Sequence, residues 1–389
     1  MGRVGGGDSG YGVTGVTGVT GSRALARLRG HVVRRAFGAP APLAAAMARL
    51  GFVQADPLRA PARAQDLILR HRVRGYRAGD LERAYPRLGL DEDYLYAYGF
   101  VTPAVRHLLH PGGGEAPAGL AAEVLALVRA RGHAHPRDVA AAFGRATERN
   151  AWGGQSLATT RALEALHARG LVRVARRERG VRVYAPAVDL PPAPPDPDAR
   201  VRALVALLLG LFAPLPEAGL RRALRHVPFV RRTLPTPAVR RLLAAMHADR
   251  TLDGADLLGE RWVWPPGDAP EGPAPAPPRV RLLAPFDPLV WDRDRFARLW
   301  GWEYRFEAYT PAARRERGHY ALPLLWGADV VGWATVAAGG GGGGERGGDP
   351  GALDVALGFA RGRPAGAAFA RGLEAEVERL RAFLRPRPR

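Results

Sequence analysis

No cysteine occurs among the 389 residues, which excludes a disulfide framework, a thiolate metal site and a cysteine nucleophile. That composition fits a reducing compartment. Lysine is missing too, so all 57 basic residues are arginines. Schiff-base chemistry is therefore closed to side chains, and only the α-amine at the chain start remains. Isoleucine occurs once, at Ile68, while Ala, Arg, Gly and Pro dominate. Compositional bias explains arginine in place of lysine, but not 57 basic residues against 37 acidic ones. The resulting net charge of +20 suits a polyanionic partner, nucleic acid before membrane. The most apolar run, "ALVALLLGLFAPL" (203–215), is too short to span a bilayer, stops at Pro214 and reads as a buried helix. The opening "MGRVGGGDSGYGVTGVTGVTGS" lacks the apolar core of a signal peptide and reads as a disordered leader, 1–22.

Pro- and Gly-rich breaks at 110–119, 189–199 and 265–278 divide the rest of the chain into four parts. In 116–190, three amphipathic helical stretches precede "LVRVARRERGVRVYAP", two alternating runs around a Gly-containing turn. Helix, helix, helix, hairpin is the winged-helix order, a helix-turn-helix plus a β-hairpin. The third helix, in "SLATTRALEALHARG", has Ser156 as candidate N-cap and Gly170 after its end. Its first half is expected to be exposed and to place Thr159, Thr160 and Arg161 in a DNA groove. The hairpin adds Arg173, Arg176, Arg177, Arg179 and Arg182. Residues 197–265 repeat the order loosely, with Thr236 as candidate N-cap and Pro237 in the first turn. Residues 23–110 read as mostly helical, with room for a third copy. The last part, 279–389, reads as strand-like and aromatic-rich, a small antiparallel sheet or β-barrel with a terminal helix. Its Trp300, Trp302, Tyr304, Phe306 and Tyr309 alternate as a strand would and read as core. A glycine run occupies 339–351 and reads as a surface loop. The fold class expected is α+β, mainly α, with tandem winged-helix units before that C-terminal domain.

Winged helices carry no chemistry of their own, and on this pattern alone a transcriptional regulator leads. Against it stand several such units in series with no evident ligand domain, and the segment "LGFVQADPL" (50–58). If extended, it places Phe52, Gln54 and Asp56 on one face and Val53 and Ala55 on the other. Asp56-Pro57 can equally be a helix start, Asp as N-cap and Pro at N1. That accounts for Asp56 but not for Gln54, in a chain whose only other glutamines are Gln65 and Gln155. The functional alternative is glycosidic hydrolysis: a carboxylate deprotonates water and stabilises a cationic sugar, and an amide orients that water. A base alkylated on a ring nitrogen is already cationic and leaves neutral, so one carboxylate suffices. Other chemistries have weaker footing. The histidines show no HExxH or HxxxH pairing, and "HAHP" (133–136) sits at a helix start. The glycine run lacks the Lys-Ser/Thr of a phosphate loop, and no GxSxG occurs.

Four stretches carry a resemblance: "LGFVQADPL…ARAQDL", "YLYAYGFVTP…LLHP", "WGGQSLATTRALEALHARGLVRVARRERGVRVYA" and "LLAPFDPLVWDRDRFARLWGWEYRFEAYTPAARRERGHYALPLLW". Over roughly 24–337 the chain resembles the winged-helix crosslink-repair DNA glycosylases of the YcaQ, or AlkX, type. Their catalytic signature Gln-x-Asp falls on Gln54-Ala55-Asp56; a sister branch carries Gln-x-Gln. The resemblance implies tandem winged helices and a β-barrel around a concave DNA surface. It implies hydrolysis of N7-alkylated guanine, including the unhooking of interstrand crosslinks. Asp56 would be general base and oxocarbenium stabiliser, and Gln54 would hold the water. The leader, the glycine run and the loss of lysine depart from the family pattern. The expectation is a monofunctional, metal-free and cofactor-free glycosylase, monomeric, cytoplasmic and nucleoid-associated. Its partner would be duplex DNA with alkylated or crosslinked purines, touched by Arg63 and by the candidate threonines and arginines of the second unit. A non-enzymatic regulator, preferring one operator over random duplex, is the alternative.

Overall fold

The computed structural model describes residues 19–110, 116–149, 153–187, 196–271, 279–338 and 353–385. The glycine run at 339–351 and most of the leader lie outside the described residues, as do parts of the three breaks. The expected disordered leader, 1–22, overlaps helix α1, which already runs Val19–Ala36. The helix packs against the C-terminal domain and also reaches the third unit, where Arg35 donates to the Leu209 carbonyl. Leu28 and Val32 on its apolar stripe are buried, and Arg29 binds the Leu299 carbonyl and Asp329.

The first unit runs α2 (Leu43–Leu50), β1 (Phe52–Gln54), α3 (Ala64–Leu69), α4 (Asp80–Ala84), β2 (Asp91–Tyr94) and β3 (Tyr98–Val101). Helix α5 (Pro103–Leu109) comes after them. The antiparallel sheet has the order β1-β3-β2, so 23–110 is less helical than expected. The strands are too short for alternation to read, and β2 is the acidic "DEDY", a composition poor in strand formers.

The second unit comprises α6 (Gly119–Arg131), α7 (Pro136–Phe143), β4 (Thr147–Arg149), β5 (Gln155–Leu157), α8 (Ala158–Ala168), β6 (Val172–Glu178) and β7 (Val181–Pro186). Ala134, between α6 and α7, bridges Tyr184 of β7. This unit has a core of its own around Val124, Val128, Leu163, Leu166 and Val174. The small β4–β5 pair has no counterpart in the sequence reading. It takes Ser156 into β5 and leaves Leu157 at the cap position of α8, so Ser156 is not the N-cap. Gly170 does end α8, at φ 72°, and a Cβ there would also strike the His110 ring.

The third unit runs α9 (Pro197–Phe212), β8 (Leu215–Pro216), α10 (Glu217–His226), α11 (Pro228–Thr233), α12 (Thr236–Ala248), β9 (Asp253–Leu257) and β10 (Glu260–Trp264). Its sheet order, β8-β10-β9, repeats that of the first unit. Helix α9 is the apolar run, buried through Leu204, Val205, Leu208 and Phe212. Thr236 is the first residue of α12 and not its cap, which is Pro235.

The C-terminal domain holds β11 (Val280–Leu282), α13 (Pro288–Trp291), α14 (Arg293–Trp300), β12 (Leu322–Trp326), β13 (Asp329–Ala338), β14 (Leu353–Phe359) and α15 (Ala367–Leu384). Its sheet is β11-β12-β13-β14, antiparallel, and β11 and β14 are its ends among the described residues. The segment 302–309 is loop and not strand. The core reading of its aromatics holds for Trp300 and Tyr304, which are buried, whereas Tyr309 is 80% exposed. Helices α13 and α14 were not expected from the sequence, although Asp287 and Asp292 cap them through Leu289 N–H and Arg295 N–H.

The acidic strand β2 makes sense once the second unit is in place. Asp91 meets Arg106 and Arg173 at 3.3 and 3.2 Å. Glu92 takes Arg177 on both oxygens and the Tyr98 hydroxyl at 2.9 Å. Asp93 pairs with His110 at 2.7 Å. Arg182 lies 4.4 Å above the Tyr98 ring. A buried carboxylate is tolerated only when paired, so these contacts fix how the second unit docks. We expect Glu92→Ala to lower stability by roughly 3 kcal/mol, because it strands a guanidinium that is only partly exposed. A guanidinium denaturation midpoint unchanged from wild type would show that the clasp contributes nothing.

Candidate active site

Strand β1 delivers Gln54. It pairs with β3 in the register Phe52↔Val101, Val53↔Phe100 and Gln54↔Gly99. Phe52 and Val53 are both buried, so the two faces of the strand meet core. Pairing continues one residue further, with Ala55 N–H donating to Tyr98 O at 2.9 Å. The close approach of the strands depends on Gly99. A Cβ there would overlap the Val53 carbonyl oxygen and the Phe52 ring. Upstream, Gly51 turns the chain from α2 into β1 at φ 67°, a backbone state that suits glycine.

Asp56 lies just past the strand, and no helix begins there. Residues 57–63 are irregular and α3 starts at Ala64. The helix-start reading is thereby overturned. The Asp56 Oδ1 accepts Leu58 N–H at 2.9 Å, closing a tight local turn. Its Oδ2 has no hydrogen-bond partner among the described residues. Burial pushes the Asp56 carboxyl above the ordinary aspartate value of 3.8, and the Leu58 N–H only partly offsets that. Two residues earlier, the Gln54 Oε1 is buried without a hydrogen-bond partner among the described residues. Gln54 Oε1 is one of several buried side-chain atoms without a partner among the described residues, and it is the one that falls within the motif.

Gln65, which the sequence marked only by the rarity of glutamine, supports the loop. It is 2% exposed, its Oε1 accepts Asp56 N–H at 3.4 Å, and its Nε2 donates to Glu82 at 3.3 Å. Arg63 pairs with the same Glu82. The expected DNA contact at Arg63 is thus engaged in holding the motif loop.

The second-unit candidates separate into two groups. Thr159, expected to be exposed, is buried at 2% and faces the core of its unit. One turn of helix carries both faces, and Ala158, Thr159, Ala162 and Leu163 form the inward one. Arg173, Arg177 and Arg182 are spent on β2 and Tyr98. Thr160, Arg161, Arg176 and Arg179 remain at the surface; Arg161 lies 3.5 Å from Glu148 and Arg176 2.7 Å from Glu178. Arg179 is at the hairpin tip with φ 49°. The sequence reading passed over a groove of about 560 Å3 in the third unit, between α10 and α12. Arg221, Arg222, Arg225, Arg231 and Arg240 line it. Arginines spaced through three helices, α10, α11 and α12, signalled it, but only the packing of those helices brings them together.

A family model described as "DNA glycosylase AlkZ-like" matches residues 47–383. The chain belongs to the AlkZ-like DNA glycosylase family. The family resemblance read from the sequence is therefore correct, and the match spans the motif, all three repeated units and the C-terminal domain. Among solved structures, a Streptomyces sahachiroi DNA glycosylase, AlkZ, superposes with a TM-score of 0.60 at 16% identity, over 94% of this chain and 97% of that one. At that identity the likeness speaks for the shared fold. No helix among the described residues is long and apolar enough to cross a membrane. Nor do the described residues gather three or more His, Asp or Glu side chains into a metal-holding group.

Gly99→Ala should push β3 away from β1, cost about 1–3 kcal/mol, and lower base release by moving Gln54 and Asp56. Wild-type melting and activity would show that the strands can part without consequence.

Proposed function

We propose that this AlkZ-like glycosylase hydrolyses the N-glycosidic bond of N7-alkylated guanine, including guanines tied into interstrand crosslinks, without lyase activity. The observation that carries the reading is a half-buried Asp56 with one oxygen unpartnered, two residues after Gln54, whose buried Oε1 is also unpartnered, at the end of β1. Water held by the two attacks C1′ of the sugar. The C1′–N9 bond breaks, and its electron pair neutralises the charge that N7 alkylation placed on the base, so the base leaves neutral. The proton of the water passes to Asp56, whose negative charge until then faces the cationic sugar. With no lysine to form an imine, the product is an abasic site on an uncut strand.

Each of the three units places helices ahead of a closing β-hairpin, which supports their reading as winged helices, and the net charge of +20 supports a duplex partner. Thr160, Arg161, Arg176 and Arg179 are the second-unit contacts this reading retains. Arg225, Arg231 and Arg240, exposed in the groove of the third unit, extend them along the backbone. The remaining candidates, Thr159, Arg63, Arg173, Arg177 and Arg182, act by shaping the surface and the motif loop. We place the enzyme in the cytosol beside the nucleoid, working as a monomer.

The test is base release from a duplex with one N7-alkylguanine and from one with an N7-guanine crosslink. Wild type should release the base without nicking the strand. Asp56→Asn, which keeps the acceptor for Leu58 N–H, should lose on the order of a hundredfold or more while retaining DNA affinity. Equal activity of the two proteins would remove Asp56 from the chemistry. The rate should also fall on acidification, as Asp56 takes up its proton. The acid limb of kcat/KM should lie above 3.8, because burial raises the carboxyl. A limb at or below that value would point to another group. Finally, Arg231→Ala and Arg240→Ala should each reduce the slope of log affinity against log salt by about 0.9. Unchanged slopes would take the groove off the DNA path.

A further inference from the structure

A cavity of about 260 Å3 lies where α1, α2, α9, α13 and α14 meet, and neither Gln54 nor Asp56 lines it. Four arginines do: Arg35 of α1, Arg49 of α2, Arg72 just past α3 and Arg295 of α14. Every other lining residue is apolar or glycine, so no carboxylate lines it. Two of the guanidiniums have a counter-charge behind the wall. Arg35 pairs with Asp268 and also donates to Leu209 O at 3.1 Å, and Arg72 is held by Asp287. The other two lack one. Arg295 is 1% exposed, and its side chain donates only to the carbonyl oxygens of Phe212, Pro288 and Leu289 among the described residues. Burial pushes its guanidinium down to about 10, and the charges of Asp292 and Asp287 only partly offset that. Both carboxylates are already shared, Asp287 with Arg72 and Asp292 with Arg222 at 3.4 Å. Arg49 is exposed and has no hydrogen-bond or ion-pair partner among the described residues. Buried charges are normally paired, so this junction is short of negative charge.

We propose that this cavity binds a phosphate group, and that the bound anion braces the junction of the first unit, the third unit and the C-terminal domain. Arg49 offers a whole guanidinium fork, whose parallel N–H groups match phosphate oxygens. Arg35, partly exposed, adds a second donor from α1. Arg72 and Arg295 are almost closed to solvent and act through space. Their charge, set in a wall of low dielectric, raises the potential felt by an anion in the cavity. The apolar remainder of the lining offers that anion no competing acceptor. The charge fits as well. A phosphate monoester carries about −1.5 to −2 at pH 7, which answers Arg49 and Arg295 together better than chloride or a single carboxylate. Size limits what is attached to it. Pockets for drug-sized molecules begin near about 300 Å3, so the cavity suits inorganic phosphate, phosphate on a small organic group, or one phosphate of a DNA backbone.

Thermal unfolding and titration calorimetry of the full-length protein test this, with inorganic phosphate against chloride at matched ionic strength. Phosphate should raise the melting temperature saturably, as a ligand of the folded state does, and chloride should not. Arg49→Gln should melt like the wild type without phosphate, since the side chain has no partner to lose. It should bind phosphate more weakly by on the order of tenfold or more, the effect of losing a charged hydrogen-bond donor. Arg49→Lys, which keeps the charge but not the fork, should fall between the two. Arg240→Gln, in the groove of the third unit, should bind phosphate as the wild type does. A short undamaged duplex then separates the sources. Phosphate taken from solution stays bound when the duplex is added. A DNA backbone that uses the same cavity displaces it, and Arg49→Gln then binds the duplex more weakly too. Either result supports the site. An equal response to phosphate and chloride, an undiminished response in Arg49→Gln, or a response lost in Arg240→Gln instead would overturn it. Neither readout involves base release, so the glycosylase reading stands or falls separately.

Discussion

Arg72 and Asp287 are both almost completely buried, and they face each other through two hydrogen bonds of 2.7 and 2.9 Å. Arg72 lies just past α3 in the unit that carries the motif, and Asp287 caps α13 in the C-terminal domain through Leu289 N–H. The same guanidinium also donates to Ile68 O at 2.8 Å. Two charges removed from water hold each other in one geometry, because any shift leaves one of them unpaired at a cost of several kcal/mol. This contact therefore ties the unit that carries the motif to the C-terminal domain. The fork of an arginine suits that task better than a lysine ammonium, since two parallel hydrogen bonds fix an orientation as well as a distance.

The same device recurs wherever parts of the chain meet. Arg70 reaches Glu376 of α15, whose carboxylate also takes Leu282 N–H of β11 at 3.0 Å. Arg295, fully buried, donates to carbonyl oxygens from Phe212 of α9 and from Pro288 and Leu289 of α13. Arg177 and Arg173 bind the second unit to β2. A chain without lysine thus uses much of its positive charge as internal mortar, and its formal charge overstates what a DNA backbone can reach. The groove of the third unit is where exposed arginines collect without that duty.

Local consistency and function part company at the motif. Residues 57–63 form neither helix nor strand, although Asp-Pro is a helix-opening pair. Strand pairing through Gly99 and the Gln65 hydrogen bond hold the loop instead, and Gln54 Oε1 and one Asp56 oxygen are left without partners among the described residues. Such departures from local preference are where a site is expected, because a fully satisfied motif has nothing to offer a substrate.

Gln54-Ala55-Asp56 was legible in the sequence because a rare amide stood two residues from a carboxylate within a stretch resembling a known family. The second unit, the apolar helix α9 and the Gly170 stop were legible because periodicity and capping are local signals. The fate of each arginine was not. Arg176 and Arg177 are neighbours in sequence, yet one is half-exposed on a hairpin and the other is closed on Glu92 from another unit. Thr159 and Thr160 are likewise adjacent, but helical geometry turns one into a core and the other outward. Arg72 and Asp287 lie 215 positions apart in the chain, so no pattern in the sequence could join them. Composition and periodicity determined which elements form and which residues can do chemistry. Tertiary packing decided which charges are spent inside the protein and which remain for the substrate, because pairing in a buried interface depends on distance in space and not on spacing along the chain.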